Sequence, residues 1–124
     1  DLPRRVAAFE MNLDKLFALA PEALQASPIH TFPAATQDLS LLVAQDVVAG
    51  DLLQLIRQEA GELLEDVRLT DDYRGANIPE GTKSLTFALR FRAADRTLTQ
   101  VEATAARDNA VAAAKAKYGA ELRA

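Results

Sequence analysis

The order strand, helix, strand, strand, helix, strand predicts an α+β fold, and three observations carry it. Leu85, Phe87, Leu89 and Phe91 alternate with Ser84, Thr86, Ala88, Arg90 and Arg92, the period-two pattern of a strand with one covered and one open face. Val48, Leu52, Leu55, Ile56 and Leu63 recur at helical spacing, the mark of an amphipathic helix over about 47–62. Thr99 and Glu102 form a capping box ahead of a stripe of Ala103, Ala106, Ala110, Val111, Ala114 and Tyr118, which opens a second helix ending at Gly119.

The remaining elements follow in order. Val6, Ala8, Glu10 and Asn12 alternate with Ala7, Phe9, Met11 and Leu13 and predict a strand, after which Asp14 caps a short helical turn from Lys15 to Ala20. Pro21, Ser27, Pro28 and Pro33 punctuate an extended connection over about 21–36. The globular unit is expected to start near Thr31. Residues 1–30 then read as the tail of a preceding domain plus a linker, and 31–124 as the domain proper, since a lone strand cannot bury itself. The start at Asp1, without a methionine or a signal-like stretch, reads as a piece of something longer. From Asp38, Leu39, Leu41 and Val43 alternate with Ser40, Leu42 and Ala44 as a first strand. Glu65 to Tyr73 forms a second strand, and Ala120 to Arg123 a last short one. Two split strand–helix–strand halves of this kind predict a ferredoxin-like βαββαβ unit, a four-stranded antiparallel sheet with both helices on one face.

Composition bounds the function. Hydrophobic residues make up 49% of the chain and charged residues 26%, which is globular rather than disordered. No apolar run is long enough to span a bilayer. Zero cysteines exclude disulfides and thiolate zinc sites, and one histidine, His30, leaves a metal only carboxylates. A net charge of −4 argues against indiscriminate, phosphate-driven binding to nucleic acid, duplex DNA included. It permits a small site that reads unpaired bases by stacking. No phosphate loop, nucleophile elbow or zinc spacing is present, and no catalytic residue is assigned.

The run from Asp71 to Leu85 concentrates the chemistry. It ends one strand, turns through Gly75, Asn77, Pro79 and Gly81, and opens the next, with Tyr73, Asp71, Arg74 and Ser84 around the turn. An open four-stranded face is a natural platform for single-stranded RNA. Ser84, Ser40, Arg90 and Arg92 take the outward parity, and Arg90 and Arg92 are RNA-binding candidates that could grip phosphates, because phosphate contacts favour arginine. Tyr73 shares the parity of Val67 and Leu69, so strict alternation sends it inward; only a bulge or a position past the strand end brings it out. The bland readings stand beside these: Tyr73 as a strand-end packing residue, Arg90 and Arg92 as a solvated face, Asp71 and Asp72 as capping residues. Gly50 and Asp51, at a helix start, read either as a small anion site or as a charge favourable to the helix dipole.

Phe32-Pro33-Ala34, Asp38-Leu39-Ser40-Leu41-Leu42-Val43, Asp71-Asp72-Tyr73-Arg74-Gly75, Ile78-Pro79-Glu80-Gly81, Lys83-Ser84-Leu85, Arg96-Thr97-Leu98-Thr99 and Gly119-Ala120-Glu121-Leu122-Arg123 occur in that order. Together they resemble the C-terminal ferredoxin-fold anticodon-binding domain of bacterial phenylalanine–tRNA ligase beta subunits. Phe9-Glu10-Met11-Asn12-Leu13-Asp14 resembles the last strand of the synthetase-like core that precedes it. The resemblance implies recognition of the anticodon of phenylalanine tRNA, with Tyr73 stacking on its first base, a guanine, and Asp71 and Ser84 bonding its edge. Ser40 would pack beside the base, where the family often has alanine. Thr36-Gln37 departs from the family, which usually has an arginine just before the aspartate. The implied parent uses ATP and Mg²⁺, pairs with an alpha subunit as an α2β2 tetramer, and is cytoplasmic, with no membrane or DNA partner. Alternatives from other classes are a ferredoxin-like small-molecule regulatory module with a ligand near Gly50, and a structural interaction domain.

Overall fold

The computed structural model describes residues 5–20 and 31–123. Its elements are α1 (Leu13–Leu19), β1 (Ala35–Ala44), α2 (Ala49–Glu59), β2 (Leu64–Tyr73), β3 (Thr82–Phe91), α3 (Gln100–Tyr118) and β4 (Glu121–Leu122). The four strands form one antiparallel sheet in the order β2-β3-β1-β4. Each helix crossover skips one strand: α2 carries the chain from β1 to β2 past β3, and α3 carries it from β3 to β4 past β1. This is the ferredoxin-like arrangement that the periodicities predict.

The core lies between the sheet and the two long helices. Leu39, Leu41 and Val43 of β1 and Leu85, Phe87, Leu89 and Phe91 of β3 are buried together with Leu52, Leu55 and Ile56 of α2. Ala103, Ala106, Ala110 and Ala114 of α3 complete it, small side chains that let that helix sit close to the sheet. Both ends of α3 are built as the sequence predicts. Thr99 Oγ1 accepts from the Glu102 amide while the Glu102 carboxylate accepts from the Thr99 amide, and Gly119 closes the helix in the left-handed region at φ 62°. Gln37, at the position where the family resemblance expects arginine nearby, turns toward the helices, and its Nε2 donates to Thr104 Oγ1 at 3.1 Å.

Several boundaries differ from the sequence-based expectation. β1 starts at Ala35 rather than Asp38, because its ladder with β3 runs on to Phe91. α2 is shorter than 47–62: Ala60 caps it and Gly61 takes a positive φ of 74°. Residues 6–12 form no strand, since no neighbouring strand among the described residues pairs with them. Asn12 rather than Asp14 caps α1, its side-chain oxygen accepting from the Lys15 amide at 3.0 Å, with Asp14 inside the first turn. Most of the 21–36 connection, His30 included, lies outside the described residues.

Candidate nucleic-acid interface on the open sheet face

The face away from the helices is composed by register. In β1 and β3 it carries Thr36, Asp38, Ser40 and Leu42 opposite Arg90, Ala88, Thr86 and Ser84. β2 adds its side chains through two irregularities. Leu69 pairs with Phe87, yet Asp71 pairs with Thr86, so Thr70 is an extra residue in the ladder. That bulge reverses the parity of everything after it. Asp71 and Tyr73, which strict alternation sends to the helix side with Val67 and Leu69, therefore emerge on the open face beside Thr86 and Ser84. Thr70 anchors the bulge by donating from Oγ1 to the Thr86 carbonyl at 3.1 Å.

Two rows of side chains result. One runs Asp71, Thr86, Ser40 across three strands, with Ser40 Oγ and Thr86 Oγ1 hydrogen-bonded at 3.0 Å. The next runs Tyr73, Ser84, Leu42. Three strands span about 10 Å at ordinary ladder spacing, a patch on the scale of a nucleobase. Ser84 is on the outward side but retains only 2% of its surface, enclosed between its neighbours rather than presented to solvent. The Tyr73 hydroxyl lies against Gly75: a Cβ at residue 75 would stand 2.1 Å from it. The ring thus occupies the space that a glycine leaves at residue 75, and no positive φ is involved. Arg123, beyond β4, places its Cζ 5.3 Å from the Tyr73 ring centroid, within cation–π range. A hollow of about 300 Å³ adjoins this end, lined by Gln45, Arg74, Gly75, Ile78 and Thr82 among others.

The charged residues divide by position. Asp72, on the opposite parity from Tyr73, accepts two bonds from Arg74 at 2.9 Å. The Arg74 hydrogen bond, aided by the charges of Arg74 and Lys83 and opposed by desolvation, holds the Asp72 carboxyl below its ordinary value. Among the described residues no cation forms an ion pair with Asp71. Arg90 and Arg92 lie at the far end of β3, six and eight residues from Ser84. Both engage Glu65, at 2.6 and 3.0 Å, and Arg92 also donates to the Phe32 carbonyl. The Arg92 side chain is 10% exposed. Desolvation pushes the Glu65 carboxyl up, but the hydrogen bonds and charges of Arg92 and Arg90 outweigh it and leave the group below its ordinary value. Tyr73, Asp71, Ser84 and Ser40 are therefore gathered in one patch, and Arg90 and Arg92 are not part of it.

Two members of the patch were not singled out from sequence. Thr86 shares the parity of Ser84 and was legible as an outward strand residue. Arg123 stands in the closing motif of the family resemblance, but nothing local signals its meeting with Tyr73, which joins opposite edges of the sheet. Among the described residues no three His, Cys, Asp or Glu side chains gather to hold a metal ion, and no helix is long and apolar enough to cross a membrane.

Fold and face define a class: a ferredoxin-like sheet, covered on one side, that presents an aromatic ring, a carboxylate and hydroxyls on the other. Comparison with known proteins narrows it. The sequence model described as "Ferredoxin-fold anticodon binding domain" matches residues 30–123, and the chain belongs to that family. The chain is 57% identical over 123 residues to the phenylalanine–tRNA ligase beta subunit of Leifsonia xyli, covering 99% of this chain and 14% of that protein. It is 50% identical over 122 residues to the beta subunit of Streptomyces avermitilis and 52% over 122 to that of Mycolicibacterium paratuberculosis, spanning 15% and 14% of their lengths.

Proposed function

We propose that the chain is the anticodon-recognition module of a phenylalanine–tRNA ligase beta subunit and that the first anticodon base is held on the patch around Tyr73. The observation that carries this reading is the bulge at Thr70, which brings Tyr73 and Asp71 out beside Ser84, Thr86 and Ser40. In it the Tyr73 ring stacks on the base, a contact typically worth about 1–3 kcal/mol. Asp71, an acceptor without a competing cation among the described residues, takes the two donors that a guanine offers on its pairing edge. Ser84 bonds the same base and Ser40 packs beside it. Arg90 and Arg92, engaged with Glu65, are left a structural role in this reading.

The chemistry belongs elsewhere in the parent enzyme, which joins phenylalanine to its tRNA with ATP and Mg²⁺ in the cytoplasm, together with an alpha subunit as an α2β2 tetramer. Residues 31–124 act as the module and 1–30 as the tail and linker of a preceding domain. The exposed Phe9, Phe17 and Leu19 support that division, as apolar side chains awaiting cover. The test is Tyr73→Ala in the assembled ligase. The KM for tRNA should rise about 5-fold to 150-fold, the range that stacking supplies, while amino-acid-dependent ATP–pyrophosphate exchange stays intact. Equal loss of both activities rejects the anticodon role.

A further inference from the structure

We infer that Arg123 is the second plate of this site, so that an unpaired RNA base is received between the Tyr73 ring and the Arg123 guanidinium. The inference rests on the reading of Tyr73 as a stacking platform and adds a residue on the far edge of the sheet. Tyr73 ends β2, one edge strand, and Arg123 follows β4, the other. The Arg123 amide donates to the Ser40 carbonyl at 2.9 Å, which extends the ladder by one residue and prolongs the row Asp71, Thr86, Ser40 onto β4. From there its side chain crosses to within 5.3 Å of the Tyr73 ring centroid.

The electrostatics of this arginine set it apart. Every arginine from Arg57 to Arg107 reaches a carboxylate. Among the described residues none does so with Arg123, whose cation faces an aromatic ring instead. A guanidinium is planar, permanently charged and weakly hydrated, so it stacks on a base as readily as on tyrosine and keeps its charge for the RNA backbone. On a chain of net charge −4 that cation sits where a polyanion must approach. The state of Ser84 agrees. It is the register partner of Tyr73, between the edge strands that carry Tyr73 and Arg123, and is 2% exposed, so a base that reaches it has to displace the side chains around it. Of the pair, the Tyr73 ring lies against the backbone at Gly75, and the longer Arg123 side chain, without an ion pair among the described residues, is the plate that yields.

A mutant cycle in the assembled ligase, with phenylalanine tRNA transcript as the probe, tests this. Arg123→Ala should lower kcat/KM for tRNA about tenfold through KM, a stacking-sized loss, with amino-acid activation and urea unfolding unchanged. Arg123→Lys, which keeps the charge without the plane, should recover little. In the Tyr73→Ala background Arg123→Ala should remove a further factor of about three, as expected for an exposed stacked cation that touches the base itself. No further loss in that background, or full rescue by lysine, overturns the second plate. If Tyr73→Ala is damaging and Arg123→Ala is silent, the inference about Arg123 fails alone; if both are silent, the base-site reading fails with it.

Discussion

The two ends of the open sheet face are built from the same strands and have opposite characters. At the Glu65 end, Glu65 engages Arg90 and Arg92, and Asp66 engages Arg57 and Arg68, so four arginines there each reach a carboxylate, while Asp38 opposite Ala88 forms no ion pair among the described residues. At the Tyr73 end the face carries a ring, three hydroxyls, a guanidinium that faces the ring, and an aspartate that forms no ion pair among the described residues. A bulge precedes each end of β2, one between Leu64 and Asp66, the other between Leu69 and Asp71. The first aims Glu65 at two arginines; the second aims Tyr73 at solvent. Charge content therefore does not mark the site. What distinguishes the Tyr73 end is an aromatic ring stacked by a cation, hydroxyls bonded to each other and a carboxylate outside any ion pair among the described residues.

Both ends rest on one core, and the comparison breaks most completely there. Phe87→Ala should lower the unfolding free energy of the chain by about 3–5 kcal/mol, the usual loss for a fully buried ring, and weaken both ends alike. Urea unfolding followed by far-ultraviolet circular dichroism measures it, and a loss below 1 kcal/mol, taken as roughly the surface range, contradicts the packing. Glu65→Gln should separate the ends. It removes charge-assisted hydrogen bonds to Arg92 and Arg90, each class worth about 1.5–3 kcal/mol, and should reduce stability without altering the KM for tRNA in the assembled ligase.

Gly75→Ala probes the other end by itself. The added methyl group meets the Tyr73 hydroxyl at 2.1 Å, so the ring must turn away, while the backbone of residue 75 needs no positive φ. Stability should change by less than about 1 kcal/mol, with a rise of severalfold in the KM for tRNA. An unchanged KM means the ring's position is not what the RNA reads. Most modest is an acid effect far from both ends. Thr99 first, then Arg96, hold the Glu102 carboxyl down at about 2 from its ordinary 4.5. Because the folded value is the depressed one, the cap's contribution is complete above 4.5 and fades as pH falls from 4.5 toward 2. Thr99→Ala should flatten the acid limb of a stability-against-pH curve over that interval, and an unaltered limb would show that the box is not what responds.

Much of the site was legible in the chain, though not its geometry. Alternation in β3 and β1 identified Ser84 and Ser40 as outward, yet Ser84 proves enclosed, because burial depends on what lies across the ladder rather than on parity. The parity of Tyr73 pointed inward, and only a bulge or a strand end offered a way out; the extra residue at Thr70 is that way. Arg90 and Arg92 looked like free surface cations, and Glu65, three strand positions from any obvious partner, gave no hint that it would engage both. The N-terminal alternation from Val6 to Leu13 met no strand to pair with and formed none.

The sequence by itself determined the elements whose causes are local. Period-two burial in β3, the Thr99–Glu102 box, the alanine stripe of α3 and the left-handed Gly119 each depend on residues within a turn or two of one another. The ordered motifs likewise sufficed to name the family. Only the tertiary structure decided which residues share the patch around Tyr73. Ladder register sets where β2 takes its extra residue, and strand order alone brings Arg123 from one edge of the sheet to the ring of Tyr73 from the other. Thr70 meets Thr86 across 16 residues and Tyr73 meets Arg123 across 50, and no local periodicity records either contact.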